Sequence, residues 1–598
     1  MPNFFSMLNL SSFVFLTQIK MIQTLEIPPR KKREYLPDDF TVSSWEDLEP
    51  WFRKLEAENP QSVQELEAWV ARISELDLVI FESKAWLFIK MTCNTEDKNA
   101  AKDYEVFLKE VLPHFVKYDH RLLKKLHGSP YFAELDTDYY NILIRSVKNQ
   151  IDLYRDENIS LEAEIQSRAR EFDLVAGSIG IEYEGEKITL QKAASMMEST
   201  DRKLRETMWL KIWDARMEHR EKLDVLYTDL VKMRHQVAQN AGFDSYSDYK
   251  FRKLERFDYK REDCFKFHES IEKAVKPLYE SYLHDRKERL GLPGIKPWDL
   301  TVDMYGGQPL RPFEGTEDLV NKTAKVLRAI DPQLGNYVRI MEQMGRLDLG
   351  SRLGKAPGGY NYSMPETGVP FIFMNAVGSQ VDIVTMLHEA GHAVHSFLTH
   401  DIDLSDFKKL PSEVAELASM AMELISMDQW HLLYEDPSEL YRAKREQIIR
   451  PFSLLPWIAS IDALQHWAYD NPKHTEEERR KSWRSIYHRF HGEAMDTEGL
   501  DSYFDSLWQK QGHVFDVPFY YIEYGIAQLG AIAVWRNYKK DPQKALQDYL
   551  SALSLGYTRT IPEVYETAGI RFDFSTEYIQ ELCDFVREEL EALDRQYG

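Results

Sequence analysis

His388, Glu389 and His392 form an H-E-x-x-H pattern inside the apolar, helix-forming stretch Thr385–His395. A helix turns about 100° per residue, so side chains at i and i+4 stand one above the other on one face. Both imidazoles can then reach a single ion at the roughly 2.0–2.1 Å of a zinc–nitrogen bond. Glu389 is rotated off that line, close to a water beside the ion but not itself a ligand, which suits a base in metal-assisted hydrolysis. Ile383, Leu387, Ala390, Val394 and Leu398 recur at helical spacing, and Asp382 is the expected N-cap. The plain alternative is a surface helix carrying two solvated histidines. With 17 histidines in 598 residues, the pattern arises by chance in roughly one such chain in twenty.

A catalytic site of this type needs a third protein ligand. His395 lies on the same stripe but two turns from His388, about 10 Å along the axis, too far to share an ion. Leu410–Leu424 is a second helical pattern with an apolar face of Val414, Leu417, Ala421 and Leu424 and Ser412 as its expected N-cap. Glu413, Glu416 and Glu423 fall on the other side, within about 80° of one another. Any of the three suits the role, and spacing does not choose among them.

Two more segments hold suitable chemistry. Gln511–Gly525 concentrates hydroxyl and imidazole donors ahead of a small-residue helix. Peptide hydrolysis builds charge on the former carbonyl oxygen, and preorganised donors lower that barrier most. Tyr521 and Tyr524, three apart, share a helix face, and Tyr520 offers a register one residue away. Gly358–Asn375 contains a Gly358-Gly359-Tyr360 turn, a candidate flap, and then the short buried strand Val369–Met374 with Phe373 on it. Pro370 has no N–H to donate, which points to an edge strand or a strand start. An edge strand here would pair with a peptide backbone without reading its sequence.

These motifs resemble the thimet-oligopeptidase-like zinc peptidases, and within them the bacterial oligoendopeptidase F branch. The likeness rests on His388–His395, with a further histidine three residues after the pair, and on Pro411–Leu424, a P-S-E-x-A-E-x-A-S-M-x-M-E-L type helix. It extends from about Ile27 to the region of Ala568–Phe572. Ala390 departs from the pattern, since many relatives carry a bulky residue there. The resemblance implies Glu416 as third ligand, Glu423 as a residue orienting the ligands, and His513, Tyr521 and Tyr524 as contacts to substrate and intermediate. It also implies one zinc ion per chain and short, unfolded peptides as substrates.

The elements that must position these residues are mainly helical. The expected fold is a large two-lobed α zincin-type metallopeptidase with a small β-sheet near the site and a deep substrate groove. Leu66–Leu76, Tyr104–Leu112, Tyr139–Leu153 and Leu204–Val237 carry helical apolar patterns, while Ile181–Leu190 reads as a hairpin turning at Glu184-Gly185. The chain exceeds one compact core, so residues 24–200 are expected to form an N-terminal helical lobe and 201–598 the catalytic domain. Residues 1–23 read as an N-terminal extension. Phe4–Leu16 imitates a signal-peptide core without a basic start or a clear cleavage site, and Met21 is an alternative start.

Three widely spaced cysteines make no disulfide framework, and a cytoplasmic location is expected. A net charge of −23 argues against nucleic acid as a partner. No segment suits stable membrane association. The expected function is zinc-dependent hydrolysis of internal peptide bonds. An exo-acting peptidyl-dipeptidase is the alternative, ahead of a catalytically silent peptide-binding protein.

Overall fold

The computed structural model describes residues 27–597 apart from 353 and 357. The expected extension, residues 1–23, lies outside them. Helices dominate, as the apolar periodicities predict. Leu66–Leu76 falls in Val63–Cys93, and Tyr139–Leu153 in Thr137–Leu153. The 204–237 pattern is two helices, Arg202–Met217 and Arg220–Asn240, broken at Glu218-His219. The Tyr104–Leu112 pattern crosses a π turn at Phe107–Val111. Pro113 follows directly, and its missing N–H cannot join the i→i−4 ladder, so the backbone re-registers there.

Most buried apolar residues from Tyr35 to Val147 share one core cluster, joined by Leu404, Phe407 and Tyr557, while Ala85 and Ile89 pack with Phe371 and Phe373. From Leu153 onward the chain contributes to a larger cluster that runs to Leu593. The helices Asp156–Ser178 and Arg220–Asn240 pack on each other within it. The boundary at 200/201 thus falls within the stretch that builds this second cluster. The two halves are tied where Glu82 accepts hydrogen bonds from the backbone N–H groups of Glu366 and Thr367, and where Arg145 pairs with Asp258 at 2.7 Å.

Two small sheets are present among the described residues. Strands β1 (Gly180–Tyr183) and β2 (Glu186–Thr189) form the expected hairpin. Glu184 and Gly185 both take positive φ at its turn, as a two-residue type I′ connection requires. The second sheet contains β3 (Leu347–Gly350), β4 (Tyr360–Tyr362) and β5 (Phe371–Ala376), in the order β3-β5-β4. β5 pairs parallel with β3 and antiparallel with β4. It is therefore the central strand, which corrects the edge-strand alternative. Pro370 stands just before its first residue, where a missing donor costs no ladder bond. The outer strand beside the H-E-x-x-H helix is β4.

That helix spans Gln380–Leu398. Its N-cap is Ser379, not Asp382. Asp382 sits at N3 and closes a capping box, its carboxylate accepting from the Ser379 N–H at 2.8 Å and the Val377 N–H at 2.9 Å. The following helix, Ser412–Ser426, also begins earlier than expected, by one residue where the first differs by three, with Pro411 at the cap.

Candidate active site

Gly391 sets the distance between these two helices. A Cβ at this position would lie 2.6 Å from both the Ala418 carbonyl oxygen and the Ser419 Cα, so only glycine permits this approach. The contact brings Glu416 under the histidine pair. Glu416 Oε2 stands 3.4 Å from His388 Nε2 and 3.7 Å from His392 Nε2. Ligands 2.0–2.1 Å from a tetrahedral ion are separated by about 3.3 Å, so the three atoms can hold one such ion. Their N, N, O donor set suits zinc.

Surrounding groups orient each ligand candidate. Glu423 Oε1 lies 2.7 Å from His388 Nδ1, and Gln447 donates to Glu423 Oε2 at 2.7 Å. Ser419 Oγ donates to Glu416 Oε2 at 3.1 Å. Burial pushes His392 down to about 4, which leaves the neutral imidazole that binds metal. Glu413, the first of the three carboxylates, is occupied elsewhere, accepting from the buried Tyr259 hydroxyl at 2.5 Å. His395 is buried with neither ring nitrogen hydrogen-bonded, and it is not in the three-residue cluster.

Glu389 is 6% exposed, and its Oε2 is buried without a hydrogen-bond partner. Burial, opposed by His388 and reinforced by the Glu416 and Glu423 charges, pushes its carboxyl up to about 7. A buried carboxyl of this kind beside three potential ligands is suited to exchanging protons near neutrality. The Asn361 side chain on β4 donates to the Glu389 carbonyl at 3.1 Å, fastening the sheet to the helix.

The tyrosine segment faces the same space. His513 packs against Tyr520, Tyr521 and Tyr524, with ring centroids 5.9, 5.1 and 5.9 Å away. Trp457 Nε1 donates to Gln511 Oε1 at 3.0 Å, which turns the Gln511 amide NH2 onto His513 Nδ1 at 2.6 Å. The proton of a neutral His513 then sits on Nε2, free to donate. Burial lowers the His513 pKa, favouring that neutral ring. Tyr520 lines a cavity with His392 and Glu416. Burial and then the Glu416 charge push Tyr520 up to about 12 and Tyr524 well above its ordinary value. Tyr521, 9% exposed, is pushed up to about 12 by burial without a Glu416 contribution. Tyr520, in the alternative register, is the tyrosine that lines this cavity, and its ring packs on Tyr524 at 5.4 Å. Trp457, which orients His513 through Gln511, was not marked by the sequence pattern.

The substrate-contact expectations fare differently. Phe373 is fully buried on the central strand, and Tyr360 stacks on it at 4.7 Å with ring planes 2° apart. The Tyr360 hydroxyl lies 2.6 Å from Thr92 Oγ1 of the helix Val63–Cys93. Both rings are packing between sheet and helix, not a groove surface. Gly358 is held to β5 by the Asn375 side chain, which donates to its carbonyl at 2.8 Å. A Cβ on Gly359 would meet the Phe373 carbonyl at 3.3 Å. Gly358 to Tyr360 is thus a tethered lead-in to β4 in place of a free flap. Asn361, Tyr362 and Ser363, just beyond it, line the cavity.

Cys264, Asp462 and His466 form a second buried cluster with metal-binding residue types. Here His268 Nε2 lies at hydrogen-bonding distance from Asp462, 2.9 Å. Burial first, then the Asp462 charge, holds the Cys264 thiol well above its ordinary pKa. The His268–Asp462 contact links the helices Arg261–Ser270 and Pro437–Asp470.

Two cavities adjoin at Tyr520. One, about 470 Å³, contains His392, Glu416, Asn361 and Tyr362; the other, about 500 Å³, extends past Ser412 and Glu413 to Ser146, Tyr154 and Glu162. They share Lys409, Leu410 and Tyr520.

Comparison with known proteins agrees with this architecture. Residues 195–583 match peptidase family M3, and residues 39–154 match the peptidase M3 N-terminal domain. An oligoendopeptidase F homolog of Lactococcus lactis is 23% identical over 341 residues, 53% of this chain and 52% of that protein. One from Mycoplasma pneumoniae is 23% identical over 539 residues, 80% and 82% of the two chains. The chain thus spans about half the length of the Lactococcus relative. The solved structure of PZ peptidase A with an inhibitor superimposes with a TM-score of 0.86 at 25% identity, covering 95% of this chain and 99% of that one. With its family match extending over well more than half its length, the chain belongs to peptidase family M3, in the oligoendopeptidase F branch.

Proposed function

We propose that this chain is a zinc-dependent oligoendopeptidase that hydrolyses internal bonds of short, unfolded peptides. The observation that carries the reading is the convergence of His388, His392 and Glu416 beside the unpartnered Glu389 carboxyl. His388, His392 and Glu416 would hold one zinc ion per chain, which when bound polarises a scissile carbonyl and acidifies water. Glu389 takes the proton from the attacking water and passes it to the leaving amine. Tyr524 and Tyr520, with His513 through its Nε2–H, donate hydrogen bonds to the developing oxyanion. Tyr521 supports this group by packing against both His513 and Tyr524. Asn361 holds the outer strand against the Glu389 helix, where a peptide backbone can add to β4.

The cavity beside His392 and Glu416 adjoins a second one at Tyr520, which leaves room for a peptide to extend beyond the cluster, as internal cleavage needs. No helix among the described residues is long and apolar enough to cross a membrane. All three cysteines are free, which suits a reducing cytoplasm. The test is metal removal from the full chain, followed by assay of an internally quenched peptide. Cleavage should stop with the metal removed and return with one equivalent of zinc. Full cleavage by metal-free protein would refute the reading.

A further inference from the structure

Phe519 is a bulky residue in the left-handed region, with φ 67°. Only two other non-glycine residues among those described share that conformation, and one is Glu255 at φ 56°. One side chain joins the neighbourhoods of these two distant residues. Arg256, immediately after Glu255, donates from its NH2 to the Phe519 carbonyl at 2.5 Å and to Glu523 Oε1 at 2.6 Å. The Phe519 N–H donates at 2.7 Å to Gln465 Oε1, from the helix Pro437–Asp470. Both backbone groups of the strained residue are therefore held by buried side chains from remote segments. Its fully buried ring is fixed as well, packed against His466, Tyr469 and Phe251 at 4.9, 5.4 and 5.8 Å.

Such strain persists only where the surroundings over-determine it, and it concentrates at functional sites. Here the residue after it is Tyr520, and the helix carrying Tyr524 begins at Tyr521. We propose that Arg256 and Gln465 are positioning residues, clamping Phe519 in its left-handed conformation and thereby aiming Tyr520 and Tyr524 at the His388–His392–Glu416 cluster. The inference rests on the proposed peptidase function. The same segment also steadies the ligand helix: Tyr259, three residues after Arg256, donates to Glu413, one turn before Glu416. Neither clamp residue touches the reacting atoms. Each acts through the backbone of Phe519, and a shift of about 1 Å at a catalytic group can cost about 100-fold in rate.

The test compares wild type, Gln465→Leu, Gln465→Glu and Arg256→Lys on one internally quenched peptide, recording kcat, KM, zinc content and circular dichroism. Gln465→Leu and Arg256→Lys should lower kcat by roughly 10- to 100-fold, with KM, zinc content and helicity unchanged. Gln465→Glu, which keeps the acceptor, should restore most of the rate. The same Gln465→Leu change made in a Phe519→Gly background should cost under about 3-fold, because glycine takes positive φ without a clamp. Unchanged kcat in Gln465→Leu, a fall accompanied by zinc loss, or an equal penalty in both backgrounds would overturn the inference. Should wild type cleave no peptide, the functional reading fails first. A crystal structure of Gln465→Leu then decides the clamp: Phe519 at negative φ with Tyr520 displaced supports it, and an unchanged turn overturns it.

Discussion

Glu423 Oε1 lies 2.7 Å from Nδ1 of His388, while the other nitrogen of that ring, Nε2, stands 3.4 Å from Glu416. By accepting from Nδ1–H, Glu423 turns the Nε2 lone pair toward the side of the ring where Glu416 stands and a metal ion would sit. Carboxylate partners of this kind raise metal affinity by about 10- to 100-fold. Glu423→Ala should weaken zinc binding by that factor in a competition titration while leaving the fold intact. Unaltered affinity would mean that Gln447 and Glu423 serve packing alone.

Glu389→Gln keeps the shape of the side chain and removes its capacity to take a proton. It should retain one zinc per chain by elemental analysis and lose about 100- to 10,000-fold in kcat. Near-wild-type turnover in the metal-loaded variant would remove Glu389 from the role of base.

Glu416 and Glu413 lie one turn apart on one helix with different surroundings. Glu416→Ala should cut zinc occupancy sharply, because it removes one of three converging donor atoms. Glu413→Ala should leave zinc in place and lower the melting temperature, because the buried Tyr259 hydroxyl loses its acceptor. Occupancies in the reverse order would move the third ligand to Glu413.

Gly391→Ala tests the helix contact itself. The added methyl would lie 2.6 Å from backbone atoms of the partner helix, and overpacking of this kind costs about 1–3 kcal/mol. Both thermal stability and zinc affinity should fall. Wild-type values for both would show that the helices can separate without disturbing the cluster.

Asp77 offers a pH test behind the cavity wall, where its partner Ser405 is one of the lining residues. It is buried, with Ser405 donating at 3.1 Å. Burial, opposed by Lys409 and reinforced by Asp119 and Asp406, pushes its carboxyl up to about 8 from an ordinary 3.8. A raised folded-state pKa favours the protonated form in the fold. Its stabilising effect is complete below about pH 4 and is lost as pH rises through about 8. Asp77→Asn imitates the protonated form, so its melting temperature relative to wild type should climb from pH 4 to pH 8. A constant difference across that range would contradict the shift.

The sequence made the histidine pair legible because both proposed ligands and the proposed base lie within five residues of one helix, where spacing dictates geometry. The proposed third ligand was not legible from spacing, since Glu413, Glu416 and Glu423 share a face. Tertiary packing separates them: Gly391 against Ala418 places Glu416, Tyr259 takes Glu413, and His388 takes Glu423. Phe373 shows the converse limit. A short apolar run does not reveal its partners, and β5 gained a strand on both sides. The Arg256–Phe519 contact spans 263 residues, beyond any local pattern.

The central claim is tested most directly by mass spectrometry of a mixed pool of short peptides incubated with zinc-loaded wild type and, in parallel, Glu389→Gln. Internal cuts by wild type, nearly absent with the variant, are the predicted result. Stepwise loss of terminal residues, or no cleavage by zinc-replete wild type, would contradict it.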